Sequence, residues 1–240
     1  MSVKTKVVDG IGFITINRPE KGNCLSLEAI HSISQTARDY SSRSDVASIC
    51  FMGLGPNFCS GADLDWMSES RRDDFLSLAE MYFSVQAFPG LIYCGIQGLS
   101  YGGGFGITCL ADYVISKKNT RLCLPESNMG LIPGVLTPFA IRKIGVKTFL
   151  NLSKTADVIG PEVAQKLKLV DTIVDNQVDL SKYVQENFTM DRALSILLKQ
   201  DLAVETFEMD QLEELTLKNW KLSKSETFKR NYRLWKKRKG

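Results

Sequence analysis

Apolar and polar residues alternate from Val7 to Asn17 around Gly10 and Gly12, which predicts strands joined at a turn. The stretch NRPEKGNCLS is a polar, turn-rich connector. Leu27, Ile30, Ile33 and Ala37 then recur at helical spacing, with Ser26 placed to cap the helix. VASICFMGLG is a continuous apolar run of the buried-strand kind, ending at Gly53–Gly55. PNFCSGADLDWM reads as a loop turning into a helix, LIYCGIQGLS as strand, and GGFGITCLADYVIS as helix then strand. TRLCLPESNMGLIPG reads as a short strand and a loop. Helical patterns follow in FAIRKIG and in PEVAQKLKLV, the second with proline at its start. Strand and helix alternate to about residue 175, the pattern of an α/β fold, and from Leu180 onward only helical patterns remain. There is no internal repeat.

Composition narrows the class. The chain has 240 residues, 44% hydrophobic and 24% charged, enough for one large core or a core with a small appendage. No apolar run approaches the roughly 20 residues of a membrane helix. The start reads as a charged lead into a strand rather than a signal peptide, so a cytoplasmic location with no membrane partner is expected. The six cysteines, at 24, 50, 59, 94, 109 and 123, form no C-x-x-C pair and read as buried thiols. No metal is expected. The one histidine, His31, sits in a polar helical pattern and reads as a surface residue. Residues 218–240 hold ten Lys or Arg against one acid, Glu226, which leaves residues 1–217 at −6 in a chain of net +3.

The glycine-rich stretch GLSYGGGFG, residues 98–106, carries the candidate chemistry. Gly98-Leu99-Ser100-Tyr101-Gly102 fits the G-x-S-x-G nucleophile elbow, but that hydrolase site needs a histidine after the serine, and His31 precedes Ser100. No trio in the stretch has G-x-G-x-x-G spacing, and the chain has no G-x-x-x-x-G-K-[ST] loop. The readings that remain are a tight structural turn and a turn whose bare amides face a developing oxyanion. Glycine lets the backbone approach a ligand, and a helix starting at Gly103–Gly104 aims unpaired amides at it. Ser60-Gly61-Ala62-Asp63 is a second turn of this kind, and two such amides can clamp a thioester oxygen as it becomes an enolate.

The stretches FITINRPEKGNCLS, FCSGADLDWM, IQGLSYGGGFGITCLADYVIS, LPESNMGLIPG and AQKLKLVDTIV, in this order, resemble the crotonase (enoyl-CoA hydratase/isomerase) superfamily over about residues 5–175. The resemblance implies an α/β fold: a crotonase-like core of ββα turns over residues 1–179. A helical region at 180–240 would then cover the site and build a homotrimer or a hexamer. It implies an oxyanion hole from the amides of Ala62 and Gly103, and substrate contacts along Ala62, Asp63, Leu64, Tyr101, Gly102 and Gly103. The family's two glutamates fall on Glu126 and on Gly106, so one carboxylate is missing. No cofactor is implied beyond the substrate's own coenzyme A or phosphopantetheine thioester, on CoA or on acyl carrier protein. Nucleic acid is not an expected partner.

With Glu126 as the lone base at the α-carbon, shuttling one proton suits an isomerase or the dehydration of a tertiary alcohol. The resemblance at the subfamily level implies dehydration of a 3-hydroxy-3-methylglutaryl thioester to the 3-methylglutaconyl thioester. A substrate carboxylate or a tyrosine would assist the leaving hydroxyl. The glycine-rich turn with Gly106, and the following VLTPFAIRKIG, resemble the dehydratases of polyketide β-branching. SGADLDWM and GLIPG resemble 3-methylglutaconyl-CoA hydratases. A hydratase and a single-glutamate enoyl-CoA isomerase stay open, as does an inactive crotonase-fold scaffold or RNA-binding protein. Three further expectations concern local structure. SESRRDDF, residues 68–75, reads as a charged loop bordering the acyl pocket, with Arg71 or Arg72 near a substrate carboxylate. Phe228, Tyr232 and Trp235 share one helical face that packs on a neighbouring subunit, or else the basic end meets CoA phosphates or an acidic carrier. Gly106→Glu is expected to leave the fold largely intact.

Overall fold

The computed structural model describes residues 1–201 and 206–239. Strands β1 (Val3–Val8) and β2 (Ile11–Ile16) form an antiparallel hairpin, with Val8 opposite Ile11. Its turn residues Asp9 and Gly10 both have positive φ, 49° and 77°, as a tight two-residue hairpin requires. Helix α1 (Leu27–Ser42) follows, and the Ser26 hydroxyl accepts from the Ala29 amide as the sequence predicts. Strand β3 (Ser48–Gly53) pairs parallel with β2, then come the short α2 (Leu64–Glu69) and α3 (Arg72–Gln86).

Strands β4 (Ile92–Ile96), β6 (Tyr113–Lys117) and β8 (Thr172–Val174) complete a six-stranded sheet, order β1-β2-β3-β4-β6-β8. Strands β5 (Leu99–Tyr101) and β7 (Arg121–Cys123) pair parallel in a second, small sheet. Helix α4 (Gly103–Leu110) leaves β5, and the one-turn α5 (Glu126–Met129) follows β7. Helices α6 (Thr137–Ile144), α7 (Val146–Thr155) and α8 (Pro161–Lys166) precede β8. After it the described chain is helical: α9 (Leu180–Phe188), α10 (Arg192–Asp201), α11 (Met209–Ser223) and α12 (Glu226–Lys239).

Register explains why the inner strands are apolar throughout. Phe13, Cys50 and Tyr93 align across β2, β3 and β4 and face a small core closed by Leu180 and Val184 of α9. Their neighbours Ile14, Phe51 and Cys94 face the main core on the other side. A parallel sheet covered on both faces has no polar side to offer, hence the unbroken runs.

One expectation is corrected. Residues 68–75 are not a loop: only Ser70 and Arg71 separate α2 from α3. The Asp74 carboxylate accepts from the Arg71 amide, and two aspartates occupy the first turn, so the charges that resembled a loop start a helix. Arg71 pairs with Asp74 and Arg72 with Asp73. The Ser70 carbonyl accepts from the Trp220 indole of α11, and Lys224 bonds the Ser68 carbonyl, so this segment is held from above.

Candidate active site

The two glycine turns lie side by side. Cys59 donates to Leu99 O at 2.8 Å and Tyr101 donates to Cys59 O at 2.9 Å, which stitches the first turn to β5. Leu25 donates to Gly61 O and Asp63 donates to Leu25 O, holding the Ala62 peptide from the other side. Gly61, at φ +101°, lies so near α4 that a Cβ there would sit 3.2 Å from Tyr101 O and 3.7 Å from Gly103 N. A Cβ on Gly103 would lie 3.8 Å from Ala62 N. Among the described residues neither the Ala62 nor the Gly103 amide donates a hydrogen bond within the chain. Both residues are partly exposed, whereas 104–110 are buried, so the two free amides meet where the structure opens. Two such amides can donate to one oxygen atom that gains negative charge.

Glu126 faces the same place. Gly102 has φ +48° and ψ −113°, a conformation only glycine adopts readily, and a Cβ there would lie 3.1 Å from Glu126 Oε1. The Glu126 residue is partly exposed, yet its Oε2 is shielded and has no hydrogen-bond partner among the described residues. Burial disfavours the charged form and pushes the carboxyl up to about 7, against a backbone hydrogen bond that acts weakly the other way. A carboxyl poised near neutral pH, with one oxygen shielded and unpartnered, is suited to taking and returning a proton.

Position 106 corrects the expectation of tolerance. A Cβ on Gly106 would lie 2.1 Å from Tyr82 Oη and 2.7 Å from Leu136 Cβ. Tyr82 of α3 is fully buried, stacks on Phe139, and donates to Gly103 O at 2.9 Å. There is therefore no room for Glu at 106 as the side chains stand. Nothing in FLSLAEMYFSVQ marks Tyr82 as different from its apolar neighbours, which is why sequence reasoning missed it.

The other candidate residues divide. Asp63 caps α2 by accepting from Asp65 N and pairs with Arg18 at 3.0 Å, so its carboxylate is engaged within the chain. Leu64 and Tyr101 are partly exposed beside the two turns, and Gly102 is buried beneath them. The Trp66 indole on α2 stacks on Phe75, with its Nε1 buried and without an acceptor among the described residues. Ser100 is fully buried and bonded to Thr108 Oγ1, which places it out of reach as a nucleophile. His31 is exposed, as expected, and bonds Ser77 Oγ. Five cysteines are buried and Cys24 partly so, all as free thiols. Among the described residues, no three His, Cys, Asp or Glu side chains are gathered to hold a metal, and no helix is long and apolar enough to cross a membrane.

The aromatic face of α12 packs on its own chain, which corrects the expectation of a neighbouring subunit. Phe228 is fully buried in the main core and stacks on Tyr232, which stacks on Trp235. Tyr232 donates to Asp65 Oδ1 at 2.5 Å, and Asn231 donates to Asn128 O at 3.1 Å. The C-terminal helix is thus tied to α2 and to α5, the elements that carry the Ala62 turn and Glu126. Its outward side presents Lys229, Arg230, Arg233 and Lys237 around an exposed Leu234.

The enoyl-CoA hydratase/isomerase family matches residues 6–226, and the chain belongs to it. An enoyl-CoA hydratase of Alternaria alternata, AKT6-1, is 31% identical over 179 residues; the match covers 74% of this chain but 60% of that relative's length. A putative enoyl-CoA hydratase/isomerase (crotonase) of Legionella pneumophila superposes with a TM-score of 0.79 at 25% identity, covering 88% of this chain and 85% of the other. A putative polyketide biosynthesis enoyl-CoA hydratase of Bacillus subtilis shares the fold, with a TM-score of 0.82 at 20% identity over 95% and 94% of the two chains.

Proposed function

We propose that this chain is a one-carboxylate lyase that dehydrates a 3-hydroxy-3-methylglutaryl-type thioester to the 3-methylglutaconyl thioester. The observation that carries the reading is Glu126: a shielded, unpaired carboxyl near neutral pKa, beside two free amides, with glycine at the family's other carboxylate position. The amides of Ala62 and Gly103 bind the thioester oxygen and stabilise the enolate, an interaction whose loss costs about 10²–10³ in rate. Glu126 takes the α-proton, and the C–H electron pair moves into the enolate. The enolate expels the β-hydroxyl as the C–O bond breaks, and protonated Glu126 returns its proton to it. Carbon–carbon double bond and water are the products, and Glu126 ends as it began.

The same residues run the reaction backwards, so hydration of an enoyl thioester is the second reading, favoured by the name of the Alternaria relative. An inactive scaffold is disfavoured by the unpaired Glu126 and the free amides. The acyl group rides on CoA or on an acyl carrier protein, whose acidic surface suits the cationic outer side of α12. Of the C-terminal helices, α11 and α12 lie over the site, through the bonds of Trp220 to Ser70 O, Tyr232 to Asp65 and Asn231 to Asn128 O. Copies associate as trimers or hexamers in the cytoplasm through exposed apolar residues such as Val146, Leu150, Leu194 and Leu197. Mass spectrometry of 3-hydroxy-3-methylglutaryl-CoA and its carrier-bound counterpart after incubation with the protein tests the reading. Loss of one water from either substrate supports it. Intact substrates, with rapid turnover of a 3-enoyl-CoA at unchanged mass, would establish an isomerase instead.

A further inference from the structure

We propose that Tyr82 is a positioning and specificity-determining residue of this site. Its phenol fills the volume a side chain at position 106 needs and holds the Gly103 carbonyl, which leaves Glu126 as the cleft's single carboxylate. The inference deepens the proposed function and rests on its assignment of Glu126 and Gly103.

Three observations converge on Tyr82. First, the fit with Gly106 is steric and specific. A Cβ at 106 would meet Tyr82 Oη at 2.1 Å and Cζ at 2.9 Å, distances that real Cβ contacts do not reach. Second, Tyr82 cannot swing aside. It is fully buried, its ring stacks on Phe139 with centroids 5.4 Å apart, and Leu136 Cβ closes the same space, 2.7 Å from that Cβ position. Third, the hydroxyl is spent on the oxyanion turn: it donates to Gly103 O at 2.9 Å.

The chemistry follows from these contacts. Gly103 is held at its carbonyl by Tyr82 while its amide stays free for substrate. Burial, reinforced by nearby thiols and by Glu126, keeps the phenol well above its ordinary pKa, so it is a fixed donor and not a second base. Tyr82 thus acts through Gly103 and through exclusion; it is not a catalytic residue. Removing its hydroxyl costs the fold one buried hydrogen bond and loosens the turn that aims the Gly103 amide, a misplacement expected to lower kcat by about fivefold.

The test uses the full chain. Melting temperatures are measured for wild type, Gly106→Ala, Tyr82→Leu and the double variant. The steady-state kinetics of Tyr82→Phe are measured on the thioester that wild type turns over. The double variant is expected to melt higher than the sum of the single losses predicts, because shortening residue 82 removes the contact at 2.1 Å and leaves the new methyl group space to move away from Leu136. Tyr82→Phe is expected to melt roughly 2–4 °C below wild type, from the one lost hydrogen bond, with kcat about fivefold lower and KM unchanged. Additive melting losses, or an unchanged kcat in Tyr82→Phe, overturn the proposal. The melting cycle needs no substrate. A wild type inert toward 3-hydroxy-3-methylglutaryl thioesters would therefore sink the dehydration reading while the cycle still decides on Tyr82.

Discussion

Glu126 Oε1 lies against the backbone of Gly102, so close that a methyl group there would sit 3.1 Å from it. Gly102 is also the residue that turns β5 into α4 and so aims the Gly103 amide. The proposed base and the proposed oxyanion donor are therefore both set by Gly102. Gly102→Ala would both press on the carboxylate and force alanine to φ +48°, ψ −113°, a strain on the order of 1–3 kcal/mol. The expected outcome is a fall in kcat of at least about tenfold, from displacement of both groups, with a lower melting temperature. Steady-state kinetics with calorimetry checks both.

The raised pKa of Glu126 has a signed consequence for stability. In the unfolded chain the carboxyl titrates near its ordinary value of 4.5; in the folded chain it titrates at about 7. The folded state holds the proton more tightly, so the contribution of Glu126 to stability falls as pH rises from about 4.5 through about 7. Glu126→Gln removes that cost. The variant is expected to be more stable than wild type at pH 8, by on the order of 2–3 kcal/mol, and to show no such advantage at pH 4. Denaturant melts at the two pH values measure it. Because the base must be ionised, kcat/KM of wild type, which reports the free enzyme, is expected to rise with pH with a midpoint near the same value of about 7.

Much of this site was legible in the sequence because it is local. The turns at 60–63 and 102–104 are short, and glycine beside a strand end states its backbone conformation directly. The cap at Ser26 and the apolar runs of β3 and β4 were legible for the same reason. What escaped depends on which surfaces meet. Tyr82 matters only because α3 lays it on Gly106, and one apolar helix face does not say what it faces. The spacing of Phe228, Tyr232 and Trp235 identified a buried face of α12 but not that α2 and α5 of the same chain would cover it. At 68–75 the charges concealed a helix start, since Asp73 and Asp74 serve the first turn of α3.

The steric block at 106 predicts an asymmetry between two variants. Gly106→Glu alone is expected to fold poorly and to gain no crotonyl-CoA hydration, since Tyr82 and Leu136 occupy the space. Gly106→Glu combined with Tyr82→Ala is expected to recover soluble protein and to hydrate crotonyl-CoA faster than wild type. A second acid then stands near the β-carbon; general acid–base groups typically contribute about 10²–10⁴ in rate. A coupled hydration assay on the purified variants reads the difference.

Charge reversal on α12 tests whether its basic side meets the anionic carrier of the acyl group. Arg230 and Arg233 are exposed and lie beside the exposed Leu234. Arg230→Glu with Arg233→Glu is expected to raise KM for a carrier-borne thioester by about tenfold, with the effect shrinking at high salt, as screening requires. A short pantetheine thioester, which carries neither phosphates nor a carrier, is expected to keep its wild-type KM. Parallel kinetics on the two substrates at low and high salt provide the comparison.

The central claim is that Glu126 is the single base at the α-carbon, and hydrogen exchange tests it most directly. The protein is incubated in D2O with 3-hydroxy-3-methylglutaryl and 3-methylglutaconyl thioesters on CoA and on carrier. Deuterium uptake at the α-carbon is followed by mass spectrometry beside thioester binding. Wild type is expected to exchange the α-hydrogen and interconvert the two acyl groups. Glu126→Gln is expected to bind the thioester as tightly and to lose exchange by about 10²–10⁴. Exchange at an undiminished rate in Glu126→Gln would mean that another group removes the proton, and the assignment of this site would be wrong.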